Sequence, residues 1–116
     1  MADDIYKSSD INLKIFLDKS HIPQKISWNA SDKGGDNPRD CKAFMLSLWD
    51  EKDLNTLRID LWTKEMRVDE MDQFFYQTIM TMADTYLRAT NNQKGANDMR
   101  AFGKTFAEKA GLTKAG

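Results

Sequence analysis

A thiol–imidazole pair for nucleophilic chemistry could be drawn in this sequence only from Cys41 and His21, each the only one of its kind. A thiol nucleophile needs a base within hydrogen-bond reach, and that base needs an orienting group. His21 lies in a turn two residues before Pro23, and Cys41 lies beside a loop. Folding can bring such residues together, so an enzyme using His21 and Cys41 stands as one rival reading. Nothing in the spacing demands it. A structural zinc site needs more ligands than one histidine and one cysteine. Asp32, Asp36 and Asp40 offer oxygens to a hard cation. They lack the dense Asp-x-Asp-x-Asp-Gly order of a calcium loop and read as solvated loop carboxylates. Gly34-Gly35 is not followed by Gly-Lys-Ser/Thr, so it reads as a turn and not as a phosphate cradle. Asp50 with Glu51, and Asp69 with Glu70, are adjacent in sequence, and adjacent residues do not converge on one face. The expectation is a protein with no catalytic centre, no bound metal and no cofactor.

Composition narrows the partners. The chain has 116 residues with a formal net charge of −1, 41% apolar and 30% charged. That length fits a single domain, 1–116, with one real core. Nucleic-acid binding normally needs a basic excess to neutralise phosphates, so nucleic acid is not an expected partner. The start, Met1-Ala2-Asp3-Asp4-Ile5, lacks the positive and apolar regions of a signal peptide. No apolar run approaches the ~20 residues that span a bilayer, so direct membrane insertion is not expected. A single cysteine gives no sign of an oxidising compartment. The expected location is cytoplasmic.

Period-2 alternation marks the first half of the chain. Ile11, Leu13, Ile15 and Leu17 alternate with Asn12, Lys14, Phe16 and Asp18, which defines the two faces of a strand. Asp18 to His21 reads as a turn. A second strand follows from Ile22 to Ala30, with Ile26, Trp28 and Ala30 on one face and Pro23 at its start. Residues 31–39 contain Gly34-Gly35 and Asn37-Pro38 and read as a mobile loop. Residues 40–49 fit both helical and strand spacing. A strand over 43–49 is favoured, because Asp50 to Asn55 reads as a hairpin connection into the alternating Thr56 to Trp62.

After Thr63 the period changes. Met71, Phe74, Phe75, Thr78, Ile79, Met82, Ala83, Tyr86 and Leu87 form one wide apolar helix face. Asp69 is a plausible N-cap. Residues 90–95 read as the break. A second helix over about 96–110 carries Met99, Phe102, Phe106, Ala107 and Ala110 on one face, ended by Gly111 in a left-handed cap. Residues 1–9 and 112–116 read as flexible ends. Strands first and helices after predict an α+β fold. The expected form is an antiparallel sheet of about four strands, in β-β-β-β-α-α order, with two C-terminal helices packed on one face.

The aromatic residues are the most informative side chains. Phe16 and Trp62 lie opposite the aliphatic sets of their strands, and Met45 and Trp49 join them if 43–49 is a strand. A sheet face open to water should be polar. An aromatic patch there predicts a contact surface for a partner or a second copy. Phe16, Met45, Trp49, Arg58 and Trp62 form the candidate surface, with Arg58 able to pair with a carboxylate. The alternative is a small-molecule site between sheet and helices, lined by Trp28, Phe74 and Phe75.

Several blocks carry a resemblance. They are Leu48-Trp49-Asp50-Glu51-Lys52, Asn55 to Lys64 with Met66, and Val68-Asp69-Glu70-Met71. Met82-Ala83-Asp84-Thr85, Asp98-Met99-Arg100, Phe106 to Lys109 and Ile22 to Trp28 belong with them. Over roughly residues 11–110 the chain resembles the gliding-motility protein GldC family. The resemblance implies an accessory role in bacterial gliding motility, with other motility proteins as partners or self-association as a homodimer. It implies a place in the cytoplasm or peripheral to the inner membrane through partners. It supplies no catalytic residues.

Overall fold

The computed structural model describes residues 4–31 and 37–112. The order is β1 (Ile11–Leu17), β2 (Pro23–Ala30), β3 (Arg39–Cys41), β4 (Ala43–Asp50), β5 (Asn55–Trp62), α1 (Val68–Thr90) and α2 (Gln93–Lys109). This is an α+β fold with antiparallel strands and C-terminal helices. The chain divides into two compact units, Met1–Met66 and Arg67–Gly116.

In the strand unit, β1 and β2 pair with Ile11 opposite Ala30, Leu13 opposite Trp28 and Ile15 opposite Ile26. Directly opposed residues share a face, so the aliphatic alternation of β1 meets the apolar set of β2. Ile26 is fully buried, the largest such side chain among the described residues. Asp18 builds the connecting turn. Its carboxylate accepts from the amides of Ser20 (2.8 Å) and Ile22 (3.0 Å) and from Gln24 Nε2 (2.9 Å). Lys64 Nζ lies 3.0 Å away. His21 holds the left-handed conformation that closes the turn (φ 64°).

The Asp18 carboxyl is held well below the usual range, at about 2, chiefly by the Ile22 amide and then by Lys64. A carboxyl depressed on folding stabilises the folded state above its unfolded value and loses that contribution as pH falls through its folded value. Asp18→Asn should therefore lower the thermal midpoint at pH 7. The gap to wild type should close between about pH 4 and pH 2. Thermal unfolding of both proteins across that range checks the sign. A gap that widens as pH falls would contradict this account.

The sheet differs from a single four-stranded one. Two sheets form, one ordered β1-β2-β3 and the other β4-β5. Arg39, expected in the loop, belongs to β3, where Trp28 pairs with Arg39 and Ile26 with Cys41. The break is a single residue, Lys42, whose carbonyl accepts from the amide of Thr63 (2.8 Å). Three residues carry too little alternation to announce a strand, so only pairing with β2 reveals β3. Residues 32–36 of the expected mobile loop lie outside the described residues, as do 1–3 and 113–116 of the expected flexible ends. Residues 43–49 are a strand, as expected, with β4 running from Ala43 to Asp50. The Asp50 side chain organises the hairpin, accepting from the amides of Lys52 (3.2 Å) and Asp53 (2.6 Å).

The helical unit corrects three boundaries. Arg67, not Asp69, is the N-cap of α1. Its amide donates to Glu70 Oε1 (3.0 Å) and its guanidinium to Asp69 Oδ1 (2.9 Å). The acidic residues thus act inside the first turn, where the dipole also favours them. The break is shorter than 90–95. Asn91 ends α1 in the left-handed region (φ 58°), and Asn92 at once caps α2 by accepting from the amide of Gly95 (3.0 Å). Two asparagines make the connection expected of six residues, and α2 begins at Gln93. At the other end the expected left-handed Gly111 (φ 78°) is present. Leu112 donates to Ala107 (2.8 Å), which completes a Schellman motif.

In the α1–α2 contact small residues are the most deeply buried, with Met80 and Ile79 of α1 lying against Gly103 and Tyr86 against Gly95. Ala83, Ala96, Gly103 and Ala107 are buried, whereas Phe102, placed by periodicity on the inner face, is 60% exposed. Phe102 lies beside Phe106, ring centroids 6.5 Å apart. Arg100 Nη2 to Asp84 Oδ1 (2.8 Å) ties the two helices at the surface.

Candidate functional site

The β4–β5 ladder is unbroken, from Ala43 opposite Trp62 to Asp50 opposite Asn55. Its register sorts the side chains into two unlike faces. Phe44, Leu46, Leu48, Leu57, Ile59 and Leu61 occupy one. Met45, Trp49, Arg58 and Trp62 occupy the other, together with Ser47 and Asp60. Four of the five candidate surface residues therefore converge. The indoles stand near opposite ends of that face, Trp49 66% and Trp62 57% exposed. Between them lies Arg58, held flat by three hydrogen bonds. Nη2 and Nε donate to the two oxygens of Asp60 (2.7 and 3.2 Å), and Nη1 donates to Ser47 Oγ (2.8 Å). Asp60 raises the pKa of the guanidinium further. Arg58 is a fixed planar cation between two exposed indoles.

Phe16 does not join them. It belongs to the β1-β2-β3 sheet, opposite Lys25. The ammonium groups of Lys14 and Lys25 sit 5.5 and 5.4 Å from its ring centroid, so cation–π contacts occupy this ring within the chain. Sequence reasoning missed Asp60 and Ser47. The signal for Asp60 was present, since Arg58 and Asp60 are two apart on a strand and must share a face. Ser47 needed the register of β4 on β5.

The chemistry-bearing residues behave otherwise. His21 serves the β1–β2 turn. Burial pushes the Cys41 thiol above its ordinary value, opposed by the Ala43 amide and reinforced by the Asp40 carboxylate. Activation of a nucleophilic thiol runs in the other direction. Fewer thiolates at neutral pH mean slower alkylation, so iodoacetamide at pH 7 should modify Cys41 more slowly than free cysteine. A faster reaction would return the thiol to consideration as a nucleophile. Asp40 lies 4.0 Å from Lys25 Nζ, and Asp32 and Asp36 lie outside the described residues. Among the described residues no three of His, Cys, Asp and Glu converge as metal ligands. Trp28, expected in a ligand pocket, borders an open depression of about 400 Å³ with Asn29, Ala30, Asn37 and Arg39. The Arg39 guanidinium lies 5.9 Å from its ring centroid. Among the described residues no helix is long and apolar enough to cross a membrane.

Among the described residues, five antiparallel strands followed by a helical hairpin define the structural class as α+β. Residues 23–112 match the family described as gliding motility-associated protein GldC-like, and the chain belongs to that family. No curated protein and no solved structure shows significant similarity to the chain.

Proposed function

We propose that this protein is a non-enzymatic accessory of bacterial gliding motility that acts through protein–protein contacts, from the cytoplasm or at the inner membrane through its partners. Family membership supports the process. The observation that carries the mode of action is the face of β4–β5 on which Trp49, Met45, Arg58 and Trp62 converge. Exposed tryptophans around an oriented arginine have the composition of binding hot spots, because each offers a large rigid surface or a planar donor array. The intrachain salt bridge to Asp60 presents the guanidinium without extra ordering on binding, leaving its stacking plane available to a partner's aromatic ring.

Crosslinking followed by co-purification from motile cells tests this, with Trp62→Asp as the matched control. Recovery of an envelope motility component by the wild type, and at least tenfold less by the variant, is the expected result for a central indole, where tenfold is about 1.4 kcal/mol of contact. Equal recovery by both would move the contact elsewhere on the chain. Recovery of no motility component, from cells that glide normally without the protein, would remove the proposed role.

A further inference from the structure

Among the described residues, strand β5 has a hydrogen-bonded neighbour on one edge only, β4, and β2 lies near it without sharing a ladder. Its other edge carries the outward-facing half of the main-chain donors and acceptors of eight residues. Natural edge strands are usually guarded by proline, lysine, a bulge or shortness. β5 has no proline, lysine or bulge: its sequence is Asn55-Thr56-Leu57-Arg58-Ile59-Asp60-Leu61-Trp62, its register with β4 shows no shift, and its two charges, Arg58 and Asp60, are opposite in sign. In contrast, β1 carries Lys14 and a register shift at Phe16/Leu17.

The sequence of that edge is complementary to itself. Around Ile59 it reads apolar, positive, apolar, negative, apolar from Leu57 to Leu61. An antiparallel pairing of two such strands about a twofold axis at Ile59 sets Leu57 against Leu61 of the second copy. It also sets Arg58 against Asp60 of the second copy, and the reverse. The two Arg58–Asp60 pairs then form a square in which every neighbour has the opposite charge. Moving the axis to Arg58 opposes two arginines, and moving it to Asp60 opposes two aspartates. Like charges directly opposite are destabilising, so charge selects the register centred on Ile59.

We propose that the free edge of β5 pairs antiparallel with β5 of a second copy, joining two ribbons into a continuous four-stranded sheet, β4-β5-β5-β4. The aliphatic face becomes continuous across the twofold axis, with Ile59, 50% exposed in the single chain, meeting its own copy. On the opposite face, Trp62 of each copy comes beside Thr56 of the other, one strand away from Trp49. This brings Trp62 of one copy and Trp49 of the other onto one end of a shared surface. The inference concerns the isolated protein and does not depend on the motility role.

Purified wild type, Arg58→Asp, Asp60→Arg and an equimolar mixture of the two variants would be compared by sedimentation equilibrium, with circular dichroism confirming the fold of each. Wild type should be dimeric. Each variant alone brings four like charges together, and its dimer should weaken roughly thirtyfold, as two contacts turn from attraction to repulsion. In the mixture, the doubly acidic strand of Arg58→Asp faces the doubly basic strand of Asp60→Arg. A heterodimer of near wild-type affinity should then be recovered. A role of the Arg58–Asp60 pair within one chain predicts no such rescue. The proposal is overturned if wild type is monomeric at high micromolar concentration, as it would be with this edge covered by another occupant. It is equally overturned if the single variants remain as dimeric as wild type or if the mixture does not associate.

Discussion

Ile26→Ala is expected to destabilise the strand unit by about 2–5 kcal/mol, the cost of removing a buried aliphatic chain and leaving a cavity. Ile26 is 0% exposed. It lies between Ile15 on β1 and Cys41 on β3, and so joins the three strands of its sheet. It is the one large apolar side chain of the strand unit fully removed from water among the described residues. Ile26→Val removes one methylene and should cost only about 0.5–1.5 kcal/mol. Urea unfolding followed by tryptophan fluorescence would measure both, because Trp28 is two residues away on the same face. A loss below about 1 kcal/mol for alanine would fall outside the range for a packed core position and show that Ile26 is not the centre of the sheet's packing.

Gly103→Val is expected to destabilise the helical hairpin by about 2 kcal/mol through overpacking. A Cβ at Gly103 would lie 2.6 Å from Met80 Sδ and 3.3 Å from Ile79 Cγ2. Met80 is flexible and can swing aside for one methyl. The alanine variant also gains helix propensity of about 1 kcal/mol over glycine. Gly103→Ala should therefore stay within about 1 kcal/mol of wild type. Valine adds two branched methyls against Ile79, whose γ-methyl sits close to its own backbone and cannot swing away as a thioether can. Far-UV circular dichroism during urea unfolding distinguishes the cases. Equal stability for valine and alanine would mean that α1 and α2 separate at little cost.

Much of the element plan was legible in the sequence because its signals are local. The alternations at Ile11 to Leu17 and Thr56 to Trp62, the Asp18 turn, the Asp50 hairpin and the Gly111 cap each arise within a few residues. Each reflects backbone geometry that a short peptide segment already prefers. The signals that mislead are also local. Asp69 reads as an N-cap because acidic residues favour helix starts, but the first residue whose backbone leaves the helix is Arg67, stabilised by reaching forward to Asp69 and Glu70. Gly95 reads as a breaker, yet its amide is one that Asn92 caps, which a glycine in the first turn permits.

The strand-then-helix order, the family, and the sharing of one face of β4 by Met45 and Trp49 and of one face of β5 by Arg58 and Trp62 were legible in the sequence. Side-chain period gives each strand its own two faces, and the register of β4 on β5 brings the two sets to one side. Packing between distant segments divides the strands into two sheets at Lys42 and sets the Phe16 ring against two lysines, away from the patch. It alone placed Ser47 on Arg58 and put small residues at the helix seam. Period says which way a side chain points but not what it meets. The partner is fixed by register and distance of approach between segments far apart in the chain, and these are set by packing.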